Sequence, residues 1–237
     1  MKLRAYVSEF LGAFALVFVG VGAAVSAGFG ATGNATLLGV ALAHGLAIVA
    51  IATSLGPISG GHFNPAVTLG AWVGKRIALA DALIYIIAQC IGAWVAIWLL
   101  MQAMPADLVR EINFGVPEYF GKVDTVKALI LEAVATFFLV FTVYGTAFYR
   151  KAPQVGALFV GLSIVMGILA IGPFTGAALN PARWFGPAMF AGGTSMDGAH
   201  MGVYIGGPII GGLLAGILFA YFFEKEPEAM EGTGGPA

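Results

Sequence analysis

The chain has 237 residues, 59% of them hydrophobic and only 10% charged, with a net charge of -1. A water-soluble domain carries about 25% charged and about 45–50% apolar residues, so polar surface is too scarce to cover a globule, and the class is a polytopic membrane protein. The near-neutral charge argues against a nucleic-acid partner or an acidic substrate, and the lone cysteine, Cys90, rules out an internal disulfide.

Lys2 and Arg4 precede an apolar run with no cleavage-like break. The first span, about residues 6–28, therefore reads as a retained membrane helix and not a removed signal peptide. Windows of roughly 20 apolar residues place further spans at about 36–55, 79–104, 125–149, 154–171 and 201–223. Two apolar stretches, about 64–74 and 180–190, are too short to cross. Each follows a break rich in glycine and proline, Gly56-Pro57-Ile58-Ser59-Gly60-Gly61 and Gly172-Pro173-Phe174-Thr175-Gly176. Such pieces read as re-entrant half-helices, tolerated only where their backbone faces protein or a water-filled cavity. The predicted fold is an all-α membrane protein with six transmembrane helices plus two re-entrant half-helices. Residues 1–223 form one transmembrane domain, and the acidic tail 224–237 reads as disordered.

Lys2, Arg4, Lys75, Arg76, Arg150, Lys151 and Lys225 fall on one side of this arrangement; Arg110, Lys122 and Lys127 fall on or near the other. The richer side is expected to be cytoplasmic, with both termini inside and the loop 105–124 outside. The chain also repeats itself. Glu9 lies early in the first span and Glu132 early in the fourth; Asn64-Pro65-Ala66 follows the second span and Asn180-Pro181-Ala182 the fifth. Each repeat, about 3–104 and 125–223, holds three spans. Three is odd, so the second repeat enters from the opposite face and the short helices dip in from opposite sides.

Asn is a favoured helix N-cap and Pro a favoured first helical residue, so Asn-Pro-Ala is a helix start. The inverted repeat sets two such starts nose to nose near mid-membrane, each with roughly +0.5 elementary charge. Together they oppose cations, hydronium included. If the Asn amides face a lumen, they donate hydrogen bonds to a passing water and interrupt a proton-conducting chain. The alternative is that each triplet merely caps a buried helix; two copies at matched places favour the lumen.

At these residues, SGGHFNPAVTLG and TGAALNPARWFGPA, the sequence resembles the aquaporin (major intrinsic protein) family over about residues 3–223. The resemblance implies a homotetramer in a lipid bilayer, and a second constriction lined by four residues. Counting back 20 positions from Asn64 and 12 from Asn180 reaches His44 and Ile168; the other two are Ala177 and Arg183. This quartet is similar to that of plant tonoplast intrinsic proteins. It departs from strict water channels (Phe, His, a small residue, Arg) and from glycerol facilitators (Trp, Gly, Phe, Arg, then Asp), for here Trp184 follows the Arg. Arg183 should face water and repel cations, because an unpaired guanidinium is costly at membrane depth. Ile168 removes a donor, Ala177 leaves room, and His44 supplies an imidazole whose charge state is open. The expected function is a passive channel for water, with ammonia and other small neutral solutes as candidates and protons and ions excluded. A glycerol or small-polyol facilitator is the alternative. More remote are a coupled secondary transporter and a scaffold with a vestigial pore.

Other residues receive more ordinary readings. Glu9 and Glu132 are expected to accept hydrogen bonds from the non-helical loops. His62 lines the cytoplasmic half of the pore or pins its loop. Gly207, Gly211, Gly212 and Gly216 permit close helix packing. Trp72, Trp94, Trp98 and Trp184 are candidate interfacial anchors, and Asp81 reads as a solvated loop charge. No catalytic set, metal cluster or phosphate loop appears, so no enzyme, metal or cofactor is expected. The loop 149–153 is too short to suggest a lid, and the short termini fit a prokaryotic inner (plasma) membrane.

Overall fold

The computed structural model describes residues 2–28, 36–148 and 155–223. The expectations for the tail 224–237, the loop 149–153 and the charges Arg150, Lys151 and Lys225 lie outside the described residues. Among the described residues, six helices are long and apolar enough to cross a membrane. They are α1 (Lys2–Gly28), α2 (Leu37–Ser59), α4 (Leu79–Ala103), α6 (Thr125–Val143, continued by a π turn at Tyr144–Phe148), α7 (Gly156–Thr175) and the composite span Gly198–Phe223. That last span joins α9 (Gly198–Met201) to α10 (Gly207–Leu218) through a second π turn at Gly202–Gly206. The two half-helices are α3 (Pro65–Val73) and α8 (Pro181–Ala191), and a short helix α5 (Ala106–Glu111) lies in the long loop between repeats.

Side-chain oxygens start several of these helices. Thr36 accepts from Gly39 N–H, Asp124 from Lys127 N–H and Asp197 from His200 N–H. The N–H bonds hold the Asp124 and Asp197 carboxyls below the usual range. Where helices end, the expectation needs correction. α2 and α7 do not stop at Gly56-Pro57 and Gly172-Pro173 but run on to Ser59 and Thr175. A proline in the last turn forfeits a single backbone bond, whereas the left-handed Gly60 (φ 89°) and Gly176 (φ 73°) turn the chain out of the helix. Asp81 is likewise no loop charge. It sits in the first turn of α4 and accepts from Lys2 Nζ at 3.0 Å and Tyr6 OH at 2.7 Å, tying the start of α1 to α4. Trp184 is fully buried and stacked on Tyr204, so it anchors nothing at an interface; Trp72, Trp94 and Trp98 are exposed.

The two repeats pack alike. α1 lies between α2 and α4, and α6 between α7 and α10. Small residues set these distances, as expected where lipid removes the hydrophobic drive between helices. Gly92 of α4 sits under the Phe10 carbonyl of α1; at the matching place Gly211 of α10 sits under the Ala133 carbonyl of α6. α2 crosses α7 at Gly45 and Gly161, where a Cβ on Gly45 would meet the Gly161 carbonyl at 2.7 Å. The half-helices dock on the opposite repeat: α3 rests on Gly212 and Gly216 of α10, and α8 places Gly186 against Ala93 of α4. Gly207, Gly211, Gly212 and Gly216 of the last span are therefore spent on packing within the protomer. α1, α2, α6, α7 and the two half-helix loops enclose a central cavity.

Candidate functional site

Local rules build the centre of the cavity. Asn64 and Asn180 have extended backbones and cap α3 and α8. Oδ1 of Asn64 accepts from Ala66 N–H at 2.8 Å, and Oδ1 of Asn180 from Ala182 N–H at 2.9 Å and Arg183 N–H at 3.3 Å. Each Nδ2 then crosses to the other repeat. Asn64 donates to the Leu179 carbonyl at 2.8 Å, and Asn180 to the Phe63 carbonyl at 3.0 Å. Every acceptor on these side chains faces protein, and one N–H of each amide remains for the cavity. Pro65, Ala66, Pro181 and Ala182 are buried as the first residues of the half-helices; of each triplet only the asparagine borders the cavity.

The loops that carry these caps need an unusual backbone. Phe63 (φ 51°), Ala177 (φ 47°) and Leu179 (φ 53°) all occupy the left-handed region without being glycine, at a cost of about 1–2 kcal/mol each. Two fully buried carboxylates compensate. Oε2 of Glu9 accepts from Phe63 N–H at 2.6 Å, and its Oε1 from His62 N–H at 3.0 Å and Ser59 Oγ at 2.7 Å. Oε2 of Glu132 accepts from Leu179 N–H at 2.8 Å, and its Oε1 from Ala178 N–H at 3.0 Å and Thr175 Oγ1 at 2.7 Å. Charge-assisted bonds of this kind are roughly twice as strong as neutral ones. Tyr85 and Tyr204 complete the support, donating at 2.8 Å and 2.7 Å to the Ser59 and Thr175 carbonyls at the ends of α2 and α7. The sequence reading passed over both tyrosines. Their signal was their matched place, seven residues before Gly92 and Gly211.

His44, Ile168, Ala177 and Arg183 border the same cavity as the two asparagines, as does His62. The cavity is narrow, ≈ 30 Å³, room for roughly two waters. His44 precedes the α2–α7 crossing glycine by one residue. Its Nδ1 lies 2.8 Å from the Val40 carbonyl, an acceptor only, so Nδ1 carries a proton; Nε2 has no partner among the described residues. Arg183 donates through Nη1 to the Gly115 carbonyl at 3.0 Å, while its Nε has no partner among the described residues. Gly115 was not anticipated. It ends a left-handed run of Asn113, Phe114 and Gly115 (φ 48°, 56° and 70°), and a Cβ there would strike Val21 at 2.8 Å. Glu118 secures that loop, accepting from Asn113 Nδ2 at 2.8 Å and Ser195 Oγ at 2.6 Å. On the side of the N-terminus, His62 Nδ1 meets Thr68 Oγ1 at 3.2 Å and its ring packs between Tyr85 and Phe148. His62 thus borders the cavity and is also held by its loop.

The major intrinsic protein family model matches residues 1–219. Among curated proteins, aquaporin TIP2-3 of Arabidopsis thaliana is 40% identical over 237 aligned positions, covering 97% of this chain and 91% of its own. Aquaporin TIP2-3 of Zea mays is 39% identical, covering 94% of this chain and 88% of its own. Among solved structures, the aquaglyceroporin from Plasmodium falciparum superposes with a TM-score of 0.77 over 94% of this chain and 97% of that one, at 23% identity. That likeness carries the fold.

Proposed function

This chain belongs to the major intrinsic protein family, and we propose that it is a passive channel passing water, with ammonia and other small neutral solutes as candidates, while holding back protons and ions. The observation that carries the reading is the crossed asparagine pair in a single narrow cavity. A water between Asn64 and Asn180 accepts from two amide N–H groups, so its own protons point away from them and toward the two mouths. The file of waters is oriented in opposite senses on either side, and a proton cannot hop through. The half-helix N-termini add positive potential at the same point. Arg183 supplies a second cation barrier, and His44, Ile168 and Ala177 set the width and polarity beside it.

Residues 1–223 are taken as one channel domain, embedded in a lipid bilayer and assembled as a homotetramer, with both termini cytoplasmic. Exposed apolar side chains such as Leu46, Ile87 and Leu214 provide the surface that lipid and neighbouring protomers would cover. The expectation of a prokaryotic plasma membrane is not supported: the relatives named above come from plants.

The test is a stopped-flow trace of proteoliposomes mixed with hyperosmotic glycerol, beside empty liposomes. The expected trace is fast shrinkage without fast re-swelling: water passes and glycerol does not, because no aromatic corner cradles its carbons. Fast re-swelling would replace this reading with a polyol facilitator. Shrinkage no faster than in empty liposomes would remove the channel reading. A second expectation concerns His44. His44→Phe replaces an imidazole bordering the cavity with an apolar ring and should lower ammonia flux more than water flux. Equal loss of both would indicate misfolding or a narrowed path, not a lost imidazole, and no change in either would take His44 out of the filter.

A further inference from the structure

The His44 ring occupies space that α1 leaves open. A Cβ on Gly20 would fall on the imidazole itself, nearest Nε2, with Cδ2 and Cε1 beside it. The opposite edge of the ring is tied to its own helix through Nδ1 and the Val40 carbonyl. The ring is buried, and Nε2, the edge turned toward α1, has no hydrogen-bond partner among the described residues. Leu16, one turn before Gly20, borders the same cavity as His44. The imidazole is therefore parked between α1 and the lumen, in a niche that exists because residue 20 has no side chain.

We propose that Gly20 is a positioning residue for the filter, holding the aperture open by letting the His44 ring lie back against α1. The inference rests on the reading of His44 as a filter residue. A single methyl at position 20 needs the volume of the ring edge, and packed interiors do not absorb even one extra carbon without displacement. The backbone of α1 cannot retreat easily, because Val17 and Val21, on either side of Gly20, are buried in one cluster with Ala96, Ile97 and Leu100 of α4. The ring can give way toward the cavity, where there is free volume, and there it narrows the path. α1 itself does not suffer: alanine is the better helix former by about 1 kcal/mol.

The experiment compares the parent, Gly20→Ala, His44→Ala and the double variant in proteoliposomes. Water flux is read by stopped-flow shrinkage in sucrose, and ammonia flux by the internal pH rise after an ammonium pulse. Gly20→Ala should lower both fluxes together, on the order of tenfold, because width changes and polarity does not. In the His44→Ala background the same substitution should change neither flux by more than about twofold, since no ring is left to displace. Gly20→Ala fluxes equal to the parent would overturn the proposal. So would the same loss in both backgrounds, which would mean general damage to α1 packing. In either case a conducting parent keeps the channel reading intact; a parent no faster than empty liposomes removes that reading and the role of Gly20 with it.

Discussion

Glu132→Leu is expected to abolish recovery of the folded protein. The side chain is fully buried and accepts three hydrogen bonds, from Leu179 N–H, Ala178 N–H and Thr175 Oγ1. Leucine fills similar volume and accepts none. The Thr175 hydroxyl can turn to the Ile171 carbonyl at 3.4 Å, but the Ala178 and Leu179 N–H groups are orphaned at about 1–3 kcal/mol each, so roughly 2–6 kcal/mol is lost from a typical domain stability of about 5–15 kcal/mol. The left-handed backbone at Ala177 and Leu179 would lose its compensation at the same time. The measurement is the fraction recovered as a monodisperse species after detergent extraction, with thermal unfolding of whatever survives. Glu132→Gln keeps one acceptor oxygen and should fall between parent and leucine variant. Normal yield and normal water flux for Glu132→Leu would show that the loop holds its shape without the carboxylate. A proton-relay role, the other reading open to an acid inside a membrane, predicts the opposite pattern: normal folding with altered transport.

Arg183→Val should open the channel to cations while water continues to pass. The guanidinium is buried on the cavity wall, tethered by one bond to the Gly115 carbonyl. A unit charge about 4 Å from a passing cation contributes about 4 kcal/mol at an effective dielectric constant near 20. Lumen water and the remaining barrier at the asparagine pair reduce the net effect to roughly 10–100-fold in cation flux. Proteoliposomes with an internal pH dye and an imposed potassium diffusion potential would read it directly. Arg183→Lys separates two causes, because it keeps the charge but loses the planar fork aimed at Gly115. If lysine restores the barrier, charge is what matters. Proton flux unchanged in the valine variant would place the whole barrier at Asn64 and Asn180.

Much of this architecture was legible in the chain because its determinants are local. Twenty apolar residues in a row cross a bilayer whatever their neighbours do. Asn-Pro at a helix start caps that helix in any context, and Asn64 and Asn180 do so. The stops of α2 and α7 were misjudged because proline was given more weight than the left-handed glycine that follows it. Asp81 was misjudged because its partners, Lys2 and Tyr6, lie 79 and 75 residues away.

Composition, periodicity and the paired motifs were enough for the membrane class, the six spans, the half-helices and the inverted repeat. The family entered through the resemblance of two stretches, SGGHFNPAVTLG and TGAALNPARWFGPA; each of these signals lies within one stretch of chain or in the likeness of two. The contacts that make a cavity out of these parts lie elsewhere. Arg183 reaches the carbonyl of Gly115 across 68 residues, and Asn64 reaches that of Leu179 across 115. The His44 ring rests on Gly20, and Tyr85 and Tyr204 close the ends of helices they do not belong to. Such pairings depend on how α1, α2, α7 and the loops approach one another in space, at glycines whose sequence neighbours look like any other apolar span. Only the packed structure decides which atom meets which, and so how wide and how polar the path is.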